Sequence, residues 1–181
     1  MKILGICGSL RQESWNRKLL VNTLEIADGK GAETDIFDLK GVPMFNPDDE
    51  GSGTPSQAAM LREAVEAADA VIIACPEHNG SMSAALKNAI EWLSRGGNSI
   101  GGRVFYLMGT SPGRSGCARM HVHASYSLES EGGLVLHQPR VLLPQVETLM
   151  DSEGNITNPA VRDLLESAVA EVIQFSRQLA R

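Results

Sequence analysis

Short apolar runs alternate with amphipathic stretches along the whole chain, and this alternation most restricts the possible fold. The plainest run is Ala70–Cys75 (AVIIAC), which is wholly apolar and rich in β-branched residues, as is typical of a strand covered on both faces. The stretch Ser83–Ser94 instead has its apolar side chains at helical spacing. Strands that alternate with helices predict an α/β protein with a parallel sheet and helices on both faces.

The same patterns locate the individual elements. The predicted strands are Lys2–Cys7, Glu33–Leu39, Ala70–Cys75, Arg103–Met108 and one within Gly133–Leu143. The predicted helices are Trp15–Ala27, Ser56–Ala68 with Ser56 as its N-cap, Ser83–Ser94, and a last helix from Pro159 to about Leu179. The segment Pro43–Pro55 is punctuated by Pro, Asn, Asp and Gly, which predicts a long surface loop. Right-handed crossovers make this a doubly wound, five-stranded fold of strand order 2-1-3-4-5.

Length and composition fit a single domain over residues 1–181. Hydrophobic residues make up 43% of the chain and charged residues 21%, which is ordinary globular usage. The net charge of −6 provides no clustered positive charge for nucleic acid or an anionic bilayer. No apolar run is long enough to span a membrane, and the N-terminus lacks the pattern of a signal peptide. Three cysteines without disulfide spacing indicate a cytoplasmic protein.

Three loops are predicted to meet at one edge of the sheet. In a sheet of this order, ligands bind beyond the carboxyl ends of the strands, where the direction of winding reverses. The first loop (Gly8–Asn16), the second loop (Pro76–Ser81) and the third loop (Gly109–Arg119) follow the first, third and fourth predicted strands and are rich in Gly, Ser, Asn or Pro. We therefore expect these loops to build the binding site.

The first loop, GSLRQESWN, has the character of a phosphate site. It opens a helix, so free backbone N–H groups and the positive end of the helix dipole face whatever binds there. Ser9, Ser14 and Asn16 add hydroxyl and amide donors. Arg11 adds a planar charge suited to two phosphate oxygens, so the loop could hold a terminal phosphate dianion without a metal. The alternative is structural: Ser14 caps the helix and Arg11 stays in solvent.

The residue spacing of three familiar phosphate-binding motifs is absent from this sequence. The chain contains neither GxxxxGK[ST] nor GxGxxG, the loops of nucleoside triphosphatases and of dinucleotide-binding proteins. Cys7 stands where a small tyrosine phosphatase of this fold class has its nucleophile, but the Arg required six residues later is Glu13 here. We therefore interpret Cys7 as a small buried apolar residue.

The second loop supplies polar groups at the end of a buried strand. Its residues are Pro76, Glu77, His78, Asn79, Gly80 and Ser81. A backbone bent tightly here can present N–H and C=O groups to the polar edge of a flat heterocycle. His78 could act as an acid or base, but we favour it as a planar wall of the pocket, since no arrangement for a nucleophile surrounds it. The structural alternative is a tight turn at Asn79-Gly80 and a helix capped by Ser83.

The third loop is predicted to close the side of the pocket through Thr110–Gly113. Beyond it, Cys117 and His121 lie four residues apart, on one face of a helix. Two ligands are too few for a structural zinc site, so we expect no metal. An esterase has no support either, because no GxSxG elbow is present.

With these loops the chain resembles the NADPH-dependent FMN reductase family, including its chromate- and quinone-reducing members. The matching segments are GSLRQESWNRKLL from Gly8, DLKGVPMFNPDD from Asp38, ADAVIIACPEHNGSMSAALKNAIEWLSR from Ala68 and MGTSPG from Met108. The resemblance implies a flavodoxin-like, FMN-binding domain. It implies that the FMN phosphate is held by Ser9, Arg11, Ser14 and Asn16. The isoalloxazine would be lined by Pro76, Glu77, His78, Asn79, Gly80 and Ser81, with Ser111 and Gly113; His78 stands where most members have Tyr.

The activity implied is that of an NAD(P)H-dependent, FMN-containing oxidoreductase. Hydride would pass from NADPH or NADH to flavin N5, which does the chemistry without a catalytic side chain. In a ping-pong sequence, a quinone, free flavin, chromate or an azo compound would then take the electrons. The resemblance also implies a homodimer or homotetramer, with the helix Leu86–Ser94, which bears Trp92, as a candidate interface.

Two alternatives remain, a flavodoxin-type electron carrier and a non-catalytic FMN-binding or sensing module. Carriers of this type typically cover the flavin with aromatic rings, whereas only 4% of this chain is aromatic. An open flavin face favours the enzyme over the carrier.

Overall fold

The computed structural model describes residues 1–179 and places one parallel sheet between two layers of helices. The strands are β1 (Lys2–Cys7), β2 (Glu33–Phe37), β3 (Ala70–Ala74), β4 (Glu77–His78), β5 (Ser81–Met82), β6 (Val104–Thr110), β7 (Leu134–Leu136) and β8 (Leu142–Leu143). The α-helices are α1 (Trp15–Gly29), α2 (Pro47–Gly51), α3 (Ser56–Glu66), α4 (Ala84–Leu93), α5 (Ala118–Glu129) and α6 (Pro159–Leu179). Short 3-10 helices span Leu39–Gly41 and Val146–Thr148.

The main sheet has the order β2-β1-β3-β6-β7, and its strands are parallel. Because β6 and β7 are its fourth and fifth strands in chain order, the predicted order 2-1-3-4-5 is confirmed. The short strand β8 continues beside β6, with Gly109 opposite Leu142. Strands β4 and β5 form a separate antiparallel hairpin. No helix within residues 1–179 has the length and apolar character needed to cross a membrane.

Both faces of the sheet are buried, which explains the wholly apolar strands. In β1, Leu4 and Ile6 pack in a core with α3, α4 and α5, whereas Ile3 and Cys7 pack on the opposite side with α1 and α6. Each of these four side chains is at most 3% exposed. Successive residues of a strand point to opposite faces, so a strand between two helical layers needs apolar residues at every position.

The strand predicted within Gly133–Leu143 is present as β7, and β8 follows after a break that contains Pro139, which has no N–H to donate to a sheet. Some predicted boundaries differ from the structure: β2 ends at Phe37 rather than Leu39, and β6 spans Val104–Thr110 rather than Arg103–Met108. Ser56 is the first residue of α3 rather than its cap, since Pro55 occupies the N-cap position and makes no capping hydrogen bond.

The predicted surface loop Pro43–Pro55 contains one short helix and is anchored on α4. Asn46 caps α2, accepting a hydrogen bond from the Asp48 N–H at 3.1 Å. The Pro43 carbonyl accepts hydrogen bonds from Asn88 Nδ2 and Trp92 Nε1, both at 2.8 Å. Trp92 is 0% exposed. The ring of Trp92 is therefore covered within the chain, and an interface at the helix Leu86–Ser94 stays a prediction.

Candidate functional site

The three loops meet at the carboxyl edge of the sheet, because the strands before them are neighbours. Cys7 at the end of β1 lies opposite Ala74, and Ala74 lies opposite Met108 in β6. Hydrogen bonds join the first loop to residues on either side of the second loop. The Gly8 N–H donates to the Ala74 carbonyl at 2.8 Å, and Ser83 Oγ donates to the Gly8 carbonyl at 2.6 Å. The structure thus brings together the loops that the sequence predicted.

Two glycines let these loops approach one another. A Cβ on Gly8 would lie 2.6 Å from Cys75 Sγ. A Cβ on Gly109 would lie 2.7 Å from both the Cys75 carbonyl oxygen and Cys117 Cβ. Any larger residue at either position would push the loops apart.

The first loop presents unused backbone donors at the start of α1. Ser14 has the extended backbone of an N-cap, and its Oγ accepts a hydrogen bond from the Arg17 N–H at 3.3 Å, which confirms the predicted cap. Within residues 1–179, the backbone N–H groups of Leu10, Trp15 and Asn16 have no hydrogen-bond acceptor. Such groups at a helix N-terminus favour an anion.

A small cationic cavity of about 280 Å³ lies at the same place. It is lined by Ser9, Leu10, Arg11, Gln12, Arg17, Asp38 and Lys40. Three of these side chains are cationic and one is acidic, so the cavity has a positive balance that the chain as a whole lacks. Arg17 and Lys40 were not in the predicted set. The position of Lys40 after β2 could have indicated it, because β2 is the neighbour of β1.

The side chain of Asn16 is occupied within the protein. Its Nδ2 donates to the Thr110 carbonyl at 2.9 Å, and its Oδ1 accepts from the Thr110 N–H at 3.0 Å. The residue is 4% exposed. Asn16 therefore joins α1 to the end of β6, and only its backbone N–H is available to a ligand in the first loop.

The second loop forms the hairpin β4–β5 (Glu77–Met82) with a two-residue turn. Asn79 and Gly80 both have positive φ angles, 50° and 73°, the conformation for which Asn-Gly is the preferred pair. The side chains of His78 and Asn79 are exposed. Ser81 Oγ lies 2.8 Å from Nδ1 of His123 on α5. The tight turn therefore exists, and it leaves a polar, accessible edge at the end of β3.

The carboxylate of Glu77 is engaged within the protein, where it caps α5. Its Oε2 accepts backbone hydrogen bonds from Arg119 at 2.9 Å and Met120 at 3.4 Å. Its Oε1 accepts from Arg119 Nε at 2.8 Å and from Ser115 Oγ at 3.4 Å. Partial burial raises the pKa of Glu77, but its hydrogen bonds with Arg119 and Met120 lower it further, so the pKa lies below its ordinary value. The N-cap residue Cys117 makes no capping bond, and Glu77 replaces it.

The third loop is anchored by the chain around β8. The Ser111 N–H donates to the Leu143 carbonyl at 3.1 Å, and the Gly113 carbonyl accepts from the Gln145 N–H at 3.1 Å. Ser111 Oγ also donates to the Gly113 carbonyl at 3.3 Å. The backbone N–H of Gly113 has no acceptor within residues 1–179. A fixed loop with a free donor thus stands beside the hairpin.

The cysteines are buried thiols without an activating partner. Cys7, Cys75 and Cys117 are free and between 0% and 3% exposed, which confirms the interpretation of Cys7. Burial raises the pKa of Cys75 to about 12 and that of Cys117 to about 11, so both remain protonated at neutral pH. In the part of the chain that the structure describes, no three His, Cys, Asp or Glu side chains could together hold a metal ion.

The donor set fits a ligand with a phosphate at one end and a flat polar ring at the other. Free N–H groups and cations at the start of α1 suit a phosphate dianion. The turn at Asn79-Gly80 and the N–H of Gly113 suit the edge of a heterocycle. The fold is that of a flavodoxin-like protein, and its donor set is suited to a ligand such as flavin mononucleotide.

Comparison with known proteins gives the family. The chain belongs to the NADPH-dependent FMN reductase family, whose model matches residues 1–148. It is therefore an oxidoreductase that uses FMN and NAD(P)H. The predicted family, enzyme class and cofactor are confirmed.

The similarity extends over nearly the whole chain. The sequence is 32% identical to an NAD(P)H-dependent FMN reductase of Pseudomonas aeruginosa, over 99% of this chain and 97% of that protein. It is 31% identical to a 2-hydroxy-1,4-benzoquinone reductase of a Burkholderia species, over 92% of this chain and 91% of that protein. Among solved structures, it is similar to FerB of Paracoccus denitrificans, a flavoenzyme NAD(P)H:(acceptor) oxidoreductase. The TM-score is 0.89 and the identity 27%, over 98% and 97% of the two chains.

Proposed function

We propose that this protein reduces quinone-type acceptors with electrons from NAD(P)H, through an FMN bound across the three loops. The observation that carries the proposal is the set of free N–H groups at the start of α1, beside the cationic cavity. The hairpin turn follows β3, the neighbour of β1, and neighbouring strands are about 4.8 Å apart. A phosphate held by the first loop would therefore place an attached ring near the hairpin.

The phosphate end would be held by groups of three kinds. Ser9 and Arg11 would bind with their side chains, since both line the cavity and Arg11 is exposed without an ion-pair partner among the described residues. Asn16 would bind through its backbone N–H, because its amide is engaged by Thr110. Ser14 would act by fixing the first turn of α1.

The ring would lie between the second and third loops. On this proposal it is lined by Pro76, His78, Asn79, Gly80, Ser81, Ser111 and Gly113. Glu77 would contribute through its backbone, while its carboxylate holds α5 in place. The free N–H of Gly113 is suited to an oxygen or nitrogen of the ring that gains negative charge.

The chain itself would bind, orient and admit the reactants. Bound FMN would supply the redox chemistry, as an acceptor of hydride from NAD(P)H and a donor of electrons to the acceptor in a ping-pong sequence. The chain need supply no nucleophile, which agrees with its buried, protonated thiols. Neither the second nor the third loop contains Trp, Tyr or Phe, and Trp15 packs under Lys18 Nζ at 5.0 Å. The open face supports a reductase over an electron carrier.

The acceptor proposed first is a quinone. Curated relatives include the 2-hydroxy-1,4-benzoquinone reductase of Burkholderia and a quinone reductase of Escherichia coli, which is 27% identical over 99% of this chain. Free flavin, chromate and azo compounds are further candidates, since an open flavin face discriminates little among small acceptors.

We also propose a homodimer or homotetramer in the cytoplasm. Val122 and Tyr126 lie one turn apart on α5 and are 63% and 75% exposed. They border a groove of about 560 Å³ that also includes Met82, and a second copy would remove this apolar surface from water. The cytoplasmic location is supported by three free, buried cysteines.

Anaerobic mixing of the purified, FMN-loaded protein with NADPH or NADH tests the activity. We expect the flavin absorption to bleach rapidly and to return when a benzoquinone is added. A flavin that binds but is bleached by neither donor would show a carrier or a sensing module instead. If the protein retains no FMN at all after loading, the site itself is wrong.

A further inference from the structure

We propose that Arg119 binds a phosphate group of the nicotinamide dinucleotide and thereby determines where the hydride donor lies. The identity of the donor rests on the proposed function; the site itself rests on the geometry of Arg119. The shared chemistry is a phosphate anion, which in this donor can be the diphosphate or the 2′-phosphate of NADPH.

The ion pair between Glu77 and Arg119 is strongly asymmetric. The Glu77 side chain is 7% exposed, whereas that of Arg119 is 67% exposed. Arg119 uses Nε for the bond to Glu77 Oε1, at 2.8 Å. Within residues 1–179, its two terminal Nη atoms make no hydrogen bond. The guanidinium is thus fixed by its inner edge and offers its outer edge to solvent.

This guanidinium lies against the hairpin turn. Arg119 Cδ and Nε are 3.8 Å and 3.9 Å from the position that a Cβ on Gly80 would occupy. The flavin ring is proposed to end at this turn, so the exposed guanidinium would lie close to the outer end of that ring. An arginine held in one orientation binds two phosphate oxygens with little loss of side-chain freedom.

The charge around Arg119 favours an anion. The segment from Gly109 to Leu128 contains Arg114, Arg119, two histidines and no acidic residue. The only acidic residue of the hairpin is Glu77, and its charge is matched by Arg119 and the start of α5. The chain carries a net charge of −6, so an anionic donor needs such a local region to approach.

Arg119 is also the cation best placed for a second phosphate. Arg11 and Arg17 line the cavity at the start of α1, where the FMN phosphate is proposed to bind. A dinucleotide stacked on the ring must place its own phosphates elsewhere, and the exposed edge beside the hairpin is cationic through Arg119.

The test compares FMN-loaded Arg119→Gln and wild-type protein with donors that differ in phosphate. The control is Arg177→Gln, which removes another exposed arginine, from α6 on the other face of the sheet. Calorimetry gives the Kd of the unreactive NADP⁺ and NAD⁺. Anaerobic mixing gives the bleaching rate with NADPH, NADH and 1-benzyl-1,4-dihydronicotinamide, which has no phosphate.

We expect Arg119→Gln to weaken dinucleotide binding about tenfold or more, as loss of a hydrogen bond between charged groups does. The bleaching rate of Arg119→Gln with the benzyl donor should equal that of wild type. The Kd values and bleaching rates of Arg177→Gln should also equal those of wild type. If only the affinity for NADP⁺ falls, Arg119 binds the 2′-phosphate. If the affinities for NADP⁺ and NAD⁺ fall equally, Arg119 binds the diphosphate.

Three results would overturn the proposal. Unchanged Kd values would remove Arg119 from the donor site. An equal loss of rate with the benzyl donor would mean that the variant disturbs the hairpin and α5 in general. A change in molecular mass by light scattering would assign Arg119 to a subunit contact, since it shares a helix with the exposed Val122. Failure of the proposed function is distinct, because wild-type protein would then be bleached by no donor.

Discussion

At the scale of single residues, Gly8 and Arg11 have different roles within the first loop: Gly8 contributes to packing, and Arg11 is available to a ligand. Gly8 is enclosed, since a Cβ at this position would meet the side chains of Cys75 and Ser83. Arg11 is exposed and lines the cationic cavity without an ion-pair partner among the described residues. Substitution of Gly8 should therefore lower the free energy of unfolding. Substitution of Arg11 should instead lower the affinity for the ligand.

Arg11→Ala should release FMN without unfolding the protein. We expect strongly reduced flavin content after gel filtration, because a cation that contacts the phosphate is lost. The free energy of unfolding of the apoprotein should change by no more than about 0.5 kcal/mol, as is usual for an exposed side chain. Arg177→Ala is the matched control. Equal flavin content in Arg11→Ala and wild type would remove Arg11 from the site.

Gly8→Ala should destabilise the apoprotein by about 1–3 kcal/mol, the usual cost of inserting a methyl group into a packed site. The new Cβ would lie 2.6 Å from Cys75 Sγ, so Cys75→Ala should restore part of the loss in the double variant. Urea unfolding of the four proteins measures this coupling. If the two substitutions were simply additive, the contact between the first loop and Cys75 would not be the cause.

At the scale of elements, the carboxylate of Glu77 joins the hairpin to α5, in addition to the contact between Ser81 and His123. Glu77 belongs to β4, yet its hydrogen bonds are with the first turn of α5 and with Ser115. Because the second and third loops are the proposed walls of the flavin pocket, Glu77 fixes the distance between them. Asn16 makes the corresponding connection between α1 and β6.

Glu77→Gln should lower stability at neutral pH and have little effect in acid. The folded-state pKa of Glu77 is below its ordinary value of 4.5, so its stabilisation is present above pH 4.5 and is lost as the pH falls through the folded-state pKa. We expect a loss of about 1–2 kcal/mol at pH 7. The difference from wild type should shrink below about pH 4.

Urea midpoints across this pH range measure the effect. Glu91→Gln is the control, since Glu91 forms only i,i+4 ion pairs on the surface of α4, with Lys87 and Arg95; such pairs contribute little. A difference between Glu77→Gln and wild type that is the same at pH 7 and in acid would show that the charge of Glu77 is not what holds α5.

At the scale of the whole molecule, ligand binding and folding are linked, because the site exists only when β1, β3 and β6 are assembled. FMN at a hundred times its Kd should add about 2.7 kcal/mol to stability. For a chain of this size that corresponds to a rise in Tm of about 5–10 °C.

Calorimetry of the apoprotein with FMN and with riboflavin measures this rise. Riboflavin has the same ring and no phosphate, so it should raise Tm much less at equal concentration. Equal shifts for the two ligands would contradict a phosphate site at the start of α1.

Much of this architecture follows from short stretches of sequence. The caps at Ser14 and Ser83 and the bounds of α6 agree with their predictions, because capping residues, an initial proline and helical periodicity act within one or two turns. The strand order follows from the alternation of elements and from the handedness of crossovers. The start of α3 differs from its prediction by one residue, since a serine beside a proline fits either position.

In the candidate site, too, features that depend on neighbouring residues were predictable, and contacts between distant residues were not. Consecutive residues determined which loops carry donors and which residues form the hairpin turn, because turn and cap chemistry is local. Only the tertiary structure decided that Asn16 holds Thr110, 94 residues away, and that Glu77 holds Arg119, 42 residues away. It also decided that Trp92 is covered by Pro43, 49 residues before it. Such partners depend on which strands become neighbours and on how closely their loops pack. The periodicity of the sequence carries no information about these distances between loops.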